Sequence, residues 1–282
     1  MPGFMNCSPL YWNIRGLKSS RIRLDKLVRK LKLNLIMIAE PFADENRLDM
    51  LKNRLKFEHS FSNQCADGKL WVLWGGGLHI TVTNFSSQHI TISLVINSQH
   101  YFISVVYARC SYLERRELWR SLQMDVVEDT PWLCLGDFNI IRREEERRGG
   151  RPRLRIAMKD FNEFVDNCGL MEMKSVGSKF SWCNGQRGLS RSWSKIDRCM
   201  LNSLAANSLP DAFCRGIFSL TTKLKKLKGI LKEWNRRVFG HTETNIQNLE
   251  KQIEDLENQL QIGFSESIES DLLVAKENLA TL

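Results

Sequence analysis

Through the first two thirds of the chain, apolar residues fall in short runs separated by polar and turn-forming residues. The segments LYWNIRG, NLIMIAE, KLWVLWGG, LHITVTNF, HITISLVIN, YFISVVYA, PWLCLGDFNII, KFSWCN and SKIDRCML are rich in β-branched and aromatic residues, which predicts strands. Three stretches follow helical spacing instead. Leu24, Leu27, Val28 and Leu31 share one face behind the expected N-caps Ser19 and Ser20; LERRELWRSLQMDVV is the second; Met158, Phe161, Val165 and Cys168 mark the third, which Gly169 ends as a left-handed C′ residue. Gly75-Gly76-Gly77, Asn97-Ser98 and Asn184-Gly185 supply the turns. Hairpins with interspersed helices predict a layered α/β sandwich. A doubly wound sheet is not expected, because no G-x-G-x-x-G follows the first strand and the GGG after Trp74 reads as a turn.

From about Phe218 the pattern becomes helical throughout. Leu224, Leu227, Leu231, Trp234 and Val238 alternate three and four apart, with Lys223, Lys225, Lys226, Lys228, Lys232 and Arg236 around them, so a basic amphipathic helix is expected. Gly240 interrupts it. Ile246, Leu249, Ile253, Leu256 and Leu260 resume the spacing as far as Gly263. Two short heptad stretches favour a helical hairpin over 217–282 rather than a long coiled-coil dimer, with self-association through this tail as the other outcome.

Composition adds a bias toward a partner. Of 282 residues, 43% are hydrophobic and 26% charged, and the formal charge of +9 favours polyanions such as nucleic acid. The eight cysteines form no C-x-x-C pair and no zinc-like Cys/His spacing, so reduced, structural thiols are expected. The start MPGFMNCSPL has no basic segment leading into a long apolar stretch, and no run approaches eighteen apolar residues. We therefore expect an intracellular protein without a membrane partner, in the nucleus or the cytoplasm.

Three carboxylates close apolar runs: Glu40 after LIMIA, Asp137 after LCLG and Asp197 after SKI. A carboxylate at a strand end can present hard oxygen to Mg²⁺ at a sheet edge; alone, each is better explained as a loop cap. In Asp137-Phe138-Asn139 the two polar residues share a strand face, where an anion and an amide can handle water and a phosphate oxygen together.

Taken in order, WNIRGL, IMIAEPF, VVYA, LGDFNII, FSWCNG and SKIDRCML resemble the endonuclease/exonuclease/phosphatase family, most closely the apurinic-type endonuclease of plant LINE-type retroelements. The resemblance covers residues 8–216, and TTKLKKLKGILKEWNRRVFGHT is similar to the linker that leads toward reverse transcriptase in those elements. It implies a four-layer α/β/β/α sandwich, a DNA substrate and Mg²⁺, with Mn²⁺ as the substitute. Glu40 would be the metal carboxylate, with Asn13 beside the metal or its water. Tyr107 would bond the scissile phosphate, Asp137 would position or deprotonate the attacking water, and Asn139 would contact the phosphate. Asp197 would orient a catalytic histidine carried on a downstream Ser-Asp-His segment.

That segment is not in the sequence. None of His59, His79, His89, His100 and His241 follows an aspartate, and the chain passes from Gly216 directly to IFSLTTKLKK. A missing block is therefore expected here, leaving the sandwich incomplete at its C-terminal strands and activity impaired or absent. The remaining alternative is a non-catalytic nucleic-acid-binding or coiled-coil remnant. In RREEERRGGRPRLR, Arg142, Arg143 and Arg151 are the candidates for tracking a DNA backbone, against a solvated loop as the plain explanation. Trp71, Trp74, Trp182 and Trp193 could stack on bases, but their apolar flanks favour core packing.

Overall fold

The structure is a computed structural model that describes residues 7–96, 98–125, 129–150, 152–210, 212–215, 242–263 and 265–280. Its chain divides into two compact units, Met1–Phe218 and Ser219–Leu282. The first is built on two sheets. The smaller has the order β1 (Pro9–Asn13), β2 (Leu35–Ala39), β4 (Leu70–Trp74), β3 (His59–Ser62). The larger runs β10 (Met171–Glu172), β14 (Asp197–Leu201), β8 (Trp132–Asp137), β7 (Gln99–Tyr107), β6 (His89–Ile96), β5 (His79–Phe85). Short bridges β9 (Arg147–Arg148), β11 (Ser175–Val176), β12 (Trp182–Cys183), β13 (Trp193–Ser194) and β15 (Cys214–Arg215) tie down the loops.

Strand alternation sorts side chains into three apolar interfaces, and these define four layers. Leu35, Met37 and Val72 of the smaller sheet meet Ile90, Ile92, Leu94 and Val105 of the larger. The opposite face of the smaller sheet, with Ile36, Ile38, Trp71 and Leu73, is covered by α1 (Leu17–Leu31) and α2 (Glu45–Leu55) through Leu24, Val28, Leu48 and Leu51. Beyond the larger sheet, α3 (Tyr112–Met124) and α4 (Arg155–Asn167) bring Leu118, Trp119, Phe161 and Phe164 against Val106, Trp132 and Cys134. The observed order is α/β/β/α, as expected. A short helix α5 (Ser203–Ser208) follows β14.

Several local expectations change. Helix α1 is capped by Gly16, and Ser19 and Ser20 lie inside it, donating their hydroxyls back to the carbonyls of Gly16 and Ile14. Their hydroxyls satisfy backbone acceptors upstream instead of the first helical N–H groups. Helix α2 was not anticipated, although Asp44 accepts from Arg47 N–H as a regular N-cap and Leu48, Leu51 and Leu55 keep helical spacing. The KFSWCN strand shrinks to Trp182–Cys183. Trp71 is fully buried and Trp74 nearly so, which supports packing over stacking for both.

In the second unit, helices Thr242–Ile262 and Glu266–Ala280 are linked by Lys276 Nζ bonded to Glu257 Oε1 at 2.7 Å. The seam residues Ile246, Leu249, Ile253, Leu256 and Leu260 are half-buried, and Ala275 is buried. The expected basic amphipathic helix at 224–238, His241 and the Gly216–Ile217 junction lie outside the described residues. Among the described residues no helix is long and apolar enough to cross a membrane.

Candidate active site

The two sheets meet at a rim where β1, β2, β7 and β8 end and β14 begins. Strand alternation directs Tyr11 and Asn13 of β1 toward the larger sheet. The Tyr11 hydroxyl donates to the Val106 carbonyl at 3.3 Å and accepts from Asp137 N–H at 3.0 Å, pinning the sheets together beneath the site. Asn13 Nδ2 stands 3.4 Å from Asp137 Oδ2.

The LGDFN sequence explains the next positions. Gly136 has φ +146, and a Cβ there would fall 2.0 Å from the Val106 carbonyl oxygen, so glycine alone permits this approach of β8 to β7. Phe138 turns outward and is fully buried against Trp119 and Phe161. That anchor leaves Asp137 and Asn139 on the rim. Asn139, at φ +50, closes its N–H onto Asp137 Oδ1 at 3.0 Å and donates Nδ2 to the Ala108 carbonyl at 2.6 Å. On the neighbouring strands Tyr107 and Asp197 are both register partners of Asp137.

Glu40 follows β2 at φ +52, with its N–H bonded to the Lys69 carbonyl and its own carbonyl accepting from Gly16 N–H. Tyr107 donates its hydroxyl to Glu40 Oε1. Arg15 and Phe42, in the same two segments as Asn13 and Glu40, are also left-handed, so that with Glu40 and Asn139 they make four of the nine non-glycine residues of positive φ among the described residues. Such backbone strain persists where surrounding structure enforces it and clusters at functional sites.

Electrostatics at the rim are dominated by burial of like charges. Burial pushes Asp137 up to about 6, assisted by Glu40 and opposed by the Asn139 N–H, Asn13 and Arg15. Burial and then Asp137 push Asp197 up to about 8, against the Ser181 hydroxyl and Arg15. Burial and the bond to Glu40 raise the Tyr107 hydroxyl. The donors are carboxylate, amide and phenol oxygens, which suit a hard divalent cation, and a cation would relieve this crowding of acids. Among the described residues no three acidic, His or Cys side chains form a ready-made cage. The set therefore fits an ion held by one or two carboxylates and completed by water and phosphate oxygens.

Asn13, Glu40, Tyr107, Asp137, Asn139 and Asp197 thus share one rim. The arginines do not behave alike. Arg142 turns to α4, with Nε on Asn162 Oδ1 at 2.8 Å and an ion pair to Asp166 at 3.6 Å. Arg143 is exposed, and Arg151 lies outside the described residues. Within the acidic run, Glu146 accepts from the N–H groups of Arg142 and Arg143 and pairs with the buried Arg198, which also reaches Glu172 at 3.2 Å.

Tyr11, Arg15 and Ser181 were not anticipated. Tyr11 was legible from its two-residue offset to Asn13; Arg15 and Ser181, whose hydroxyl accepts from Asp197 N–H at 2.9 Å, gave no local signal. None of the four described histidines reaches Asp197. His59 stacks on Trp74, His79 is exposed, His100 bonds Ser93, and His89 pairs with Asp125 on the opposite face of the larger sheet.

No family model and no curated protein matches the sequence. Solved structures match its fold. The endonuclease domain of TRAS1, a telomere-specific non-LTR retrotransposon, aligns at 13% identity and TM-score 0.53, covering 69% of this chain and 84% of its own. The AP endonuclease LMAP from Leishmania major aligns at 13% identity and TM-score 0.54, covering 71% and 80%. The 3′ phosphatase NExo from Neisseria, bound to a product DNA hairpin, aligns at 13% identity and TM-score 0.50, covering 71% and 88%. The four layers and the aligned structures give this chain the endonuclease/exonuclease/phosphatase-type fold.

Proposed function

We propose that the chain is a retroelement-derived, Mg²⁺-dependent DNA phosphodiesterase of the endonuclease type, with activity far below that of a complete site. The observation that carries this reading is the convergence of Glu40, Asp137, Asn139, Tyr107 and Asn13 on one rim.

Hydrolysis needs a water activated in line with a phosphorus–oxygen bond, donors for the phosphoryl oxygens, and a proton for the departing oxygen. Asp137, raised into the range where a general base is effective near neutral pH, takes the proton of the attacking water, while Asn13 and the Asn139 N–H fix its carboxylate. Tyr107 donates its hydroxyl toward a phosphate oxygen when Glu40 turns to a cation. Asn139 Nδ2 offers a second donor. Glu40, with Asn13 alongside, would hold Mg²⁺, and bound Mg²⁺ would supply charge neutralisation at the phosphate. Burial and Asp137 hold a proton on Asp197, which has no imidazole partner among the described residues. Missing acid–base help commonly lowers such a rate by about 10²–10⁴-fold.

The order of motifs and the fold shared with the TRAS1 domain support an origin in a LINE-type element, and the motif set itself points to the plant lineage. Neighbouring genomic DNA tests the proposed missing block: a Ser-Asp-His coding segment between the codons for Gly216 and Ile217 favours splicing or a misplaced gene boundary, and its absence favours decay of the element. The direct test of function is nicking of supercoiled DNA with Mg²⁺. Slow nicking that disappears in Asp137→Ala supports hydrolysis, and identical traces from both proteins reject it. Salt-sensitive DNA binding without nicking favours the second reading, a non-catalytic nucleic-acid binder, which rests on the absence of a histidine at Asp197 among the described residues. The helical tail is the proposed self-association surface; a concentration-independent monomer mass for the full chain excludes that role.

A further inference from the structure

Beside the rim, on the side covered by α3 and α4, arginines gather without carboxylates to match. Arg115 is only 4% exposed and donates Nη1 to the carbonyls of Arg109 and Cys110, just past Tyr107. Arg147 donates Nη1 to Ser194 Oγ at 3.1 Å, three residues before Asp197. Arg153 repels both guanidinium groups. The Nε atoms of Arg147 and Arg153 are buried with no hydrogen-bond partner. Gly150 makes room for this arrangement, since a Cβ there would lie 2.6 Å from Arg147 Nη2.

The groups that favour the charge on Arg115 are the Cys110 thiol and then Asp160, the carboxylate among them, which Arg116 already holds at 2.6 Å. Among the described residues no ion pair joins Arg115, Arg147 or Arg153 to a carboxylate. Desolvated cations of one sign placed together are unfavourable unless an anion neutralises them, and arginine forks match phosphate oxygens best. We infer that Arg147 and Arg153, with Arg115 fixed behind them by the carbonyls of Arg109 and Cys110, form a phosphate-binding cleft that holds the nucleic-acid backbone next to the phosphate at the Asp137 rim. Arg142, assigned to DNA on sequence grounds, is tied to Asn162 and Asp166 and leaves this task to the three.

The inference rests on the nucleic-acid reading of the rim, and its test separates the two. Anisotropy of a labelled 20-base-pair duplex is followed with the full chain, without divalent cation, between 50 and 200 mM KCl. Arg147→Gln and Arg153→Gln each weaken binding by about tenfold and reduce the slope of log affinity against log salt by about 0.9. Arg155→Gln, a control at a guanidinium whose side chain is 91% exposed, changes binding by less than about twofold. Melting temperatures of the two cleft variants stay level or rise. Variants that bind like Arg155→Gln, or that lose binding only as they lose stability, overturn the cleft. Stabilisation by inorganic phosphate with unchanged duplex binding in the variants assigns the cleft to free phosphate and rejects the backbone contact. Asp137-dependent nicking with variant-insensitive binding rejects the cleft alone. Arginine-dependent binding without nicking rejects hydrolysis alone.

Discussion

Two buried polar clusters lie on opposite faces of the larger sheet, and they solve the problem of burial in opposite ways. Beneath α3, Asp125 Oδ1 accepts from Asn84 at 2.6 Å, its Oδ2 accepts from Thr91 and stands 3.1 Å from His89 Nε2, and His89 Nδ1 meets Ser86 Oγ at 2.7 Å. Thr91 and Trp132 Nε1 both bond Ser104. Burial alone would raise Asp125, but His89, Thr91 and Asn84 outweigh it and hold the carboxyl below its ordinary value. At the rim, burial wins, and Asp137 and Asp197 both lie above theirs. Where neighbouring donors outweigh burial the carboxylate is held by its own network; where burial wins the acids crowd, an arrangement that a cation would relieve. The only His–Asp pair among the described residues therefore belongs to architecture, and the acids without a histidine are the ones assigned to the proposed site.

The contrast can be broken from either side. The largest expected effect is on the Asp125 network: Asp125→Ala leaves His89 buried without its acid and lowers stability by roughly 3 kcal/mol, read as a lower denaturation midpoint with an unchanged slope. A variant as stable as the parent would show that the network contributes little.

A smaller effect of opposite sign is expected at the rim. Both aspartates bind protons more tightly folded than unfolded, so their contribution is full below the ordinary aspartate value and is lost as pH rises through about 6 and about 8. In EDTA, Asp197→Asn should melt roughly 3–6 °C above the parent at pH 8.5, with the difference vanishing near pH 4. Asp125 and Glu146, held down by their partners, act oppositely, and their stabilisation fades as pH falls below the ordinary carboxylate range. A parent protein whose melting temperature is flat from pH 5 to 9, with no gain from Asp197→Asn, would remove the distinction. The smallest effect belongs to Arg143→Ala, an exposed side chain outside both clusters, which should change stability by less than about 0.5 kcal/mol in a urea melt.

Much of this was legible in the sequence because strands write their burial into alternation. Residues 35–39 and 70–74 are apolar on both faces, as buried strands must be, and Glu40 appears where the first of these runs stops. Asp137 and Asn139 were readable as a pair from strand alternation, although β8 stops at Asp137 and it is the left-handed turn at Asn139 that returns it to the same rim. What the sequence could not show were contacts between distant segments. Tyr11 and Asp137 meet across 126 positions, and Arg198 neutralises Glu146 across 52. The acidic run EEE reads as solvated, yet one of its members balances a buried arginine. Helix α2 hid behind a charged sequence whose leucine spacing was short, and the pairing of His89 with Asp125 depended on how α3 ends.

On the proposed function, the rim acids await a divalent cation beside a phosphate. Thermal melts of the full chain at pH 8 with increasing Mg²⁺ test it without relying on turnover. The account predicts saturable stabilisation, about 2.7 kcal/mol at a hundredfold excess over the dissociation constant, abolished in Glu40→Gln and reduced in Asp137→Asn. Equal stabilisation of all three proteins, or none in the parent, would contradict it.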